Sequence, residues 1–114
     1  MDITWVKNST FLIKTAIGKR LIIDPFNKIN NYNISEFNPN VITLSSPNIE
    51  LPHSNQIDPH VKVISSPGIY NTDIGVIKGY NTYCDQYNGA KRGPNTIYTY
   101  DIDDLKLCHL GFLG

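Results

Sequence analysis

No apolar run in this chain approaches the roughly 20 residues that a membrane-spanning helix needs. The opening, MDITWVKNST, has no basic segment followed by an apolar one, so no secretory leader is expected. Neither sign of charge is in excess, since ten basic residues face ten acidic ones. A neutral chain has no overall field with which to hold nucleic acid or an anionic membrane. Cysteine is limited to Cys84 and Cys108. That is too few for a disulfide-built secreted scaffold, and free thiols in a reducing cytoplasm are the expectation. Alanine is scarce and asparagine abundant, a balance that favours turns and strands over helices. No segment sustains a 3.6-residue period, and there is no internal repeat or flexible linker.

What remains is a chain of 114 residues, 40% hydrophobic, enough for one small domain with much of its surface wet. Asp2 to Lys7 reads as a strand, Asn8-Ser9 as a turn, and Phe11 to Ile13 as a second strand. Gly18-Lys19 turns the chain into Leu21-Ile22-Ile23, a short apolar strand suited to burial on both faces. The opening is thus a three-stranded meander. Asn27 to Asn40 reads as loop. Val41 to Leu44 and Val61 to Ile64 read as buried strands. The prolines at 47, 52 and 59 forbid a long helix between them. Pro67-Gly68 is a turn, and short strands follow to Cys84 with a bend at Asp73 or Gly75. Asp85 to Pro94 is a loop. Thr96 to Tyr100 and Leu105 to His109 form a hairpin. The expected class is mostly β, one domain over residues 1–114, with one mainly antiparallel or mixed sheet and little helix.

Few residues carry obvious chemistry. His53, His60 and His109 are scattered, and no serine sits in a G-x-S-x-G elbow. Nothing matches a phosphate-binding G-x-x-x-x-G-K-[ST] loop. Lys91 and Arg92, between Gly89 and Gly93, are a candidate anion-binding pair, against the plainer reading of a solvated loop tip. Tyr80, Tyr83, Tyr87, Tyr98 and Tyr100 lie near those cations in sequence. Aromatic platforms with basic residues bind single-stranded nucleic acid, but tyrosine is also an ordinary strand residue. Cys84, Cys108, His109 and His53 are the right types for zinc. Cys108 and His109 are strand neighbours, however, and point to opposite faces. A Cys84–Cys108 disulfide is the remaining use of the thiols and is not expected in a cytosol.

Several stretches, in order, carry a resemblance. They are ITWVKNSTF at the start, LIIDPF at Leu21 to Phe26, the strand Val41 to Ser45, Pro67-Gly68 with Tyr70, Tyr83 to Asp85, RGPNTIY at Arg92 to Tyr98, and CHLG at Cys108 to Gly111. Together they resemble the metallo-β-lactamase superfamily, and within it the small cytoplasmic branch similar to the ascorbate-6-phosphate lactonase. The resemblance implies an αββα sandwich of two similar halves, of which this chain is the N-terminal one. It also implies two metals, usually zinc, at the strand ends, with a metal-bound water as nucleophile.

The residues at the implied ligand positions depart from the family. Ser46, Asn48, Glu50 and Leu51 stand where the first motif has His, His, Asp and His. His109 keeps the position of the next histidine, but Phe112 stands where the metal-bridging aspartate is expected. Cys84 replaces the histidine of Y-H-D, and Lys7-Asn8 replaces a Gly-His pair. Glu50 keeps a carboxylate, and His53 lies two residues beyond the motif. The weak metal candidates are therefore His109, His53, Cys84 and Glu50, and no cofactor is expected.

Three readings follow. The first is a catalytically silent relative, dimeric because a half sandwich leaves an apolar face for a second copy to cover. The second is a zinc-dependent hydrolase completed by a partner chain or a separate C-terminal half. The third is a nucleotide or nucleic-acid binder through Lys91 and Arg92. The location expected for all three is the cytoplasm, with no membrane partner.

Overall fold

The computed structural model describes residues 1–25, 37–47, 49 and 58–114. Regular structure among them is strand. The first sheet has five strands in the order β1 (Asp2–Lys7), β2 (Thr10–Lys14), β3 (Arg20–Ile23), β4 (Val41–Thr43) and β5 (Lys62–Ile64). The second has four: β6 (Gly68–Thr72), β7 (Gly75–Tyr83), β8 (Pro94–Ile102) and β9 (Leu105–His109). No helix among the described residues is long and apolar enough to cross a membrane.

The mostly-β reading holds, including the opening meander, in which Ile13 pairs with Ile3 on one side and Leu21 on the other. The expectation of one sheet needs correcting, because the strands divide into two. The division follows from connection chemistry. Antiparallel neighbours need only a tight turn, whereas parallel neighbours need a long crossover. Strands β3, β4 and β5 are parallel and separated by long segments. Strands β6 to β9 follow one another antiparallel. Asp103 and Asp104, at φ of 52° and 61°, supply the left-handed backbone of the β8–β9 turn, a conformation that Asp tolerates better than most residues.

The two sheets pack face to face within this one chain. Ile13, Leu21, Ile23, Val41 and Ile64 of the first meet Ile77, Tyr98, Tyr100 and Ile102 of the second. This corrects the premise that a half sandwich leaves an apolar face bare between the sheets: the inner faces cover each other. On the outer face of the first sheet, Ile22 and Ile42 cluster with Leu44 and Ile49. The run Leu21-Ile22-Ile23 is buried throughout, as its unbroken apolar pattern predicts for an inner strand. Edge strand β1, by contrast, is largely exposed.

Two tyrosines tie the layers. Tyr98 Oη donates to the Leu44 carbonyl at 2.8 Å, and Tyr100 Oη shares a 2.7 Å hydrogen bond with Thr43 Oγ1. Both rings are fully buried. They are core, not part of an aromatic binding platform, which leaves only Tyr80, Tyr83 and Tyr87 exposed from that group. Burial pushes the Tyr100 phenol well above its ordinary range, so both hydroxyls act as neutral hydrogen-bonding groups.

Candidate functional site

The C-terminal ends of β3 and β4 and the end of β9 meet at one place. Asp24 follows β3 at φ 50° and precedes Pro25. Its N–H donates to Thr43 O at 2.9 Å, and its own carbonyl accepts from Thr10 Oγ1 at 2.7 Å. The backbone is therefore pinned on both sides, and the carboxylate is aimed at the end of β4. There Oδ1 accepts the Ser45 N–H at 2.7 Å and Oδ2 accepts the Ser45 hydroxyl at 2.6 Å. Asp24 has no exposed surface. Burial raises its carboxyl pKa, and the two Ser45 hydrogen bonds and nearby His109 oppose that shift in part.

His109, at the end of β9, places Nδ1 3.7 Å from Asp24 Oδ2. That is beyond hydrogen-bond length. Nδ1 instead accepts the Gly111 N–H at 3.2 Å, so in the neutral ring the proton resides on Nε2. The Phe11 ring packs edge-on against the imidazole at 5.8 Å.

The turn after β9 is fixed by Asn95, a residue that sequence reasoning placed in a scaffold motif without assigning it a task. The Asn95 amide donates to Thr82 Oγ1 at 2.9 Å and to Leu110 O at 2.9 Å, and its oxygen accepts the Phe112 N–H at 2.9 Å. Gly111, at φ 64°, lies so close that a Cβ there would sit 2.5 Å from Ser45 Cβ and 2.6 Å from Asn95 Oδ1. The strand ends are thus joined by the connected polar set Asp24, Ser45, His109, Gly111 and Asn95.

Of the positions singled out from sequence, the structure brings His109 to this place. Ser46 adjoins it, is buried, and offers its carbonyl to the Ile49 N–H at 3.2 Å. Phe112 adjoins it through its backbone bond to Asn95. Asn48, Glu50, Leu51 and His53 lie outside the described residues. Cys84 is buried beyond the end of β7, its thiol donating to Pro94 O at 3.3 Å and its pKa pushed up by burial first and Asp85 second. Cys108 is exposed and pairs with Thr99 on β8, whereas Cys84 bonds to Gly93. At about 3.3 Å per residue those positions are roughly 20 Å apart along the strand, far beyond the reach of a disulfide. Asn8 takes a left-handed φ of 52° in the β1–β2 turn, and its carbonyl accepts from Trp5 Nε1.

Lys91 and Arg92 are exposed in a separate loop that is organised around Asp85. The Asp85 carboxylate accepts backbone N–H groups from Tyr87 and Gly89 on one oxygen and from Lys91 and Arg92 on the other, at 2.6 to 3.0 Å. These bonds, that of Arg92 foremost, hold its pKa below the usual carboxylate range. Lys91 Nζ sits 4.3 Å from the Tyr87 ring centroid. The amides that would cradle a phosphate already hold an internal anion.

A zinc ion needs three or four converging His, Cys or carboxylate ligands. No group of three such residues occurs among the described residues. At the strand ends they supply one imidazole and one carboxylate, both oxygens of which accept from Ser45. The described residues do not fit a metal centre.

A solved structure from Thermotoga maritima, of a proposed Zn-dependent hydrolase of the metallo-beta-lactamase superfamily, superposes with a TM-score of 0.69 and 28% sequence identity. The match covers 98% of this chain and 50% of that one, on its N-terminal half. This chain therefore spans about half the length of that relative. No curated protein matches. The model of the family described as "Beta-lactamase superfamily domain" matches residues 2–114, and the chain belongs to that family.

Proposed function

We propose that this chain is a catalytically silent module of the superfamily, with its strand-end site held by hydrogen bonds where relatives use metals. The observation that supports this reading is the fate of Asp24. Both its carboxylate oxygens are committed to Ser45, the residue just before the position where the ligand motif should begin. Ser46 and Phe112 stand at ligand positions with side chains that zinc does not favour. Gly111 occupies the Nδ1 lone pair of His109. Elemental analysis of tag-free protein purified without chelators tests the reading. Near-zero zinc, manganese and iron per chain is expected, unchanged after incubation with excess zinc. Tightly held metal at one or more ions per chain overturns it.

One observation favours a second reading. Asp24 stands behind the His109 imidazole at 3.7 Å, as carboxylates stand behind metal-ligating histidines. In that reading, a partner chain or a C-terminal half supplies the missing ligands of a hydrolase. Nδ1 would then have to release Gly111 and donate to Asp24. Zinc retained by the chain only when such a partner is co-expressed, and lost in His109→Ala, would establish this reading over the first.

A further inference from the structure

Between β7 and β8 the sequence carries its one Asn-Gly pair, Asn88-Gly89. In such a pair an asparagine side chain closes readily on the backbone nitrogen that follows it, because glycine has no Cβ to obstruct the ring. The closure turns asparagine into aspartate or isoaspartate without an enzyme. Asn88 is exposed, yet three backbone bonds hold the pair. Ala90 N–H donates to the Tyr87 carbonyl at 3.1 Å, with Asn88 at φ 53° and Gly89 at φ 84° between them. A turn with both central residues at positive φ is type I′, the form that favours Asn-Gly. The Gly89 carbonyl accepts the Gly93 N–H at 3.0 Å. The Gly89 N–H, on the nitrogen that would attack, donates to Asp85 Oδ1 at 3.0 Å. The Tyr83 ring also closes over Gly89, where a Cβ would lie 2.9 Å from it.

We propose that Asn88 is a latent deamidation site and that Asp85 is its guard. In the reaction the Gly89 nitrogen loses its proton and bonds to Asn88 Cγ. The Cγ–Nδ2 bond breaks, and ammonia leaves carrying that proton. Water then opens the succinimide at either carbonyl, giving aspartate or isoaspartate, and nothing is oxidised or reduced. Asp85 opposes the first step in two ways. Its carboxylate holds the Gly89 N–H, and a negative charge developing on that nitrogen would face a like charge. Its bonds to the Tyr87, Lys91 and Arg92 N–H groups keep the turn from rotating toward the cyclising conformation. Opening of the loop releases both restraints together. The product does not close again in the same form. Aspartate adds a negative charge to a loop already built around one, and isoaspartate adds a backbone carbon to a turn whose length the Tyr87–Ala90 bond fixes. Deamidation is thus a one-way release of the Lys91-Arg92 loop.

Peptide mapping by mass spectrometry tests this on the full chain, incubated in warm, mildly alkaline buffer, with the same chain unfolded in urea as reference. Folded wild type should convert Asn88 more slowly than the unfolded chain by a factor of about ten or more, the worth of a hydrogen bond to a charged group. Asp85→Ala should recover most of the unfolded rate, and Asp85→Asn, which keeps an uncharged acceptor, should fall between. Asn88→Ala should yield no acidic form from this loop. The acidic form of wild type, separated by ion exchange, should be cut faster by trypsin after Lys91 and Arg92. Equal rates in folded and unfolded wild type overturn the proposal. So does an Asp85→Ala chain that converts no faster than wild type, or an acidic form that trypsin cuts no faster. If Asp85→Ala fails to fold, Asp85→Asn must still convert faster than wild type, or the proposal falls.

Discussion

Replacing Asp24 isolates what the strand-end network is worth. Asp24→Ala removes the acceptor for the buried Ser45 N–H and Oγ–H. Each buried polar group left unpaired costs about 1–3 kcal/mol. Removing a buried charge returns part of that, because the carboxylate is itself desolvated. The net expectation is a loss of about 3 kcal/mol. For a domain of this size, 1 kcal/mol moves Tm by about 4 °C, so Tm should fall by about 12 °C. Asp24→Asn keeps one acceptor for the Ser45 N–H and turns its amide toward Oγ, so it should cost about 1 kcal/mol or less. The variants also differ in pH response. Burial raises the folded-state pKa of Asp24 above its ordinary 3.8, so the folded chain binds this proton more tightly than the unfolded one. That contribution to stability is full below 3.8 and is lost as pH rises through the folded value. Asp24→Asn cannot lose it. Its stability relative to wild type should therefore improve from acid toward neutral pH. Urea denaturation at several pH values measures both effects. An Asp24→Ala protein within 0.5 kcal/mol of wild type, the ordinary spread of surface substitutions, would refute the reasoning.

Asn95→Ala breaks three hydrogen bonds at once and should cost about 2–3 kcal/mol, with chemical-shift changes centred on Leu110 to Phe112. Asp85→Ala removes the acceptor of four backbone N–H groups. The expected result is faster tryptic cleavage after Lys91 and Arg92 with little change in Tm, because the loop is exposed and the core does not depend on it.

Local chemistry made most strands legible. The apolar runs Leu21 to Ile23 and Val41 to Leu44 declare inner strands, and Asp103-Asp104 declares a turn. The division into two sheets was not legible, because a strand's pattern names a buried face without naming what buries it. Tyr98 and Tyr100 show the same limit. An alternating tyrosine reads equally as surface aromatic or as core, and only the Leu44 carbonyl and the Thr43 hydroxyl across the sandwich decide. The roles of Asp85 and Asn95 depend on contacts 2 to 7 and 13 to 17 residues away in the chain. The first is an Asx-type pattern that the Asp85-to-Gly93 composition hints at. The second is set by the pairing of β7, β8 and β9 and leaves no local signal. His109 was found because its motif survives, and its engagement by Gly111 was not, because a backbone donor has no sequence signature.

The central claim, that hydrogen bonds and not a metal hold the strand ends together, is tested most directly by thermal unfolding of chelator-treated protein with and without added zinc. A site saturated at a hundred times its dissociation constant adds about 2.7 kcal/mol, or roughly 10 °C in Tm at this size. The account predicts the same Tm in both conditions. A rise of that order, abolished by His109→Ala, would contradict it.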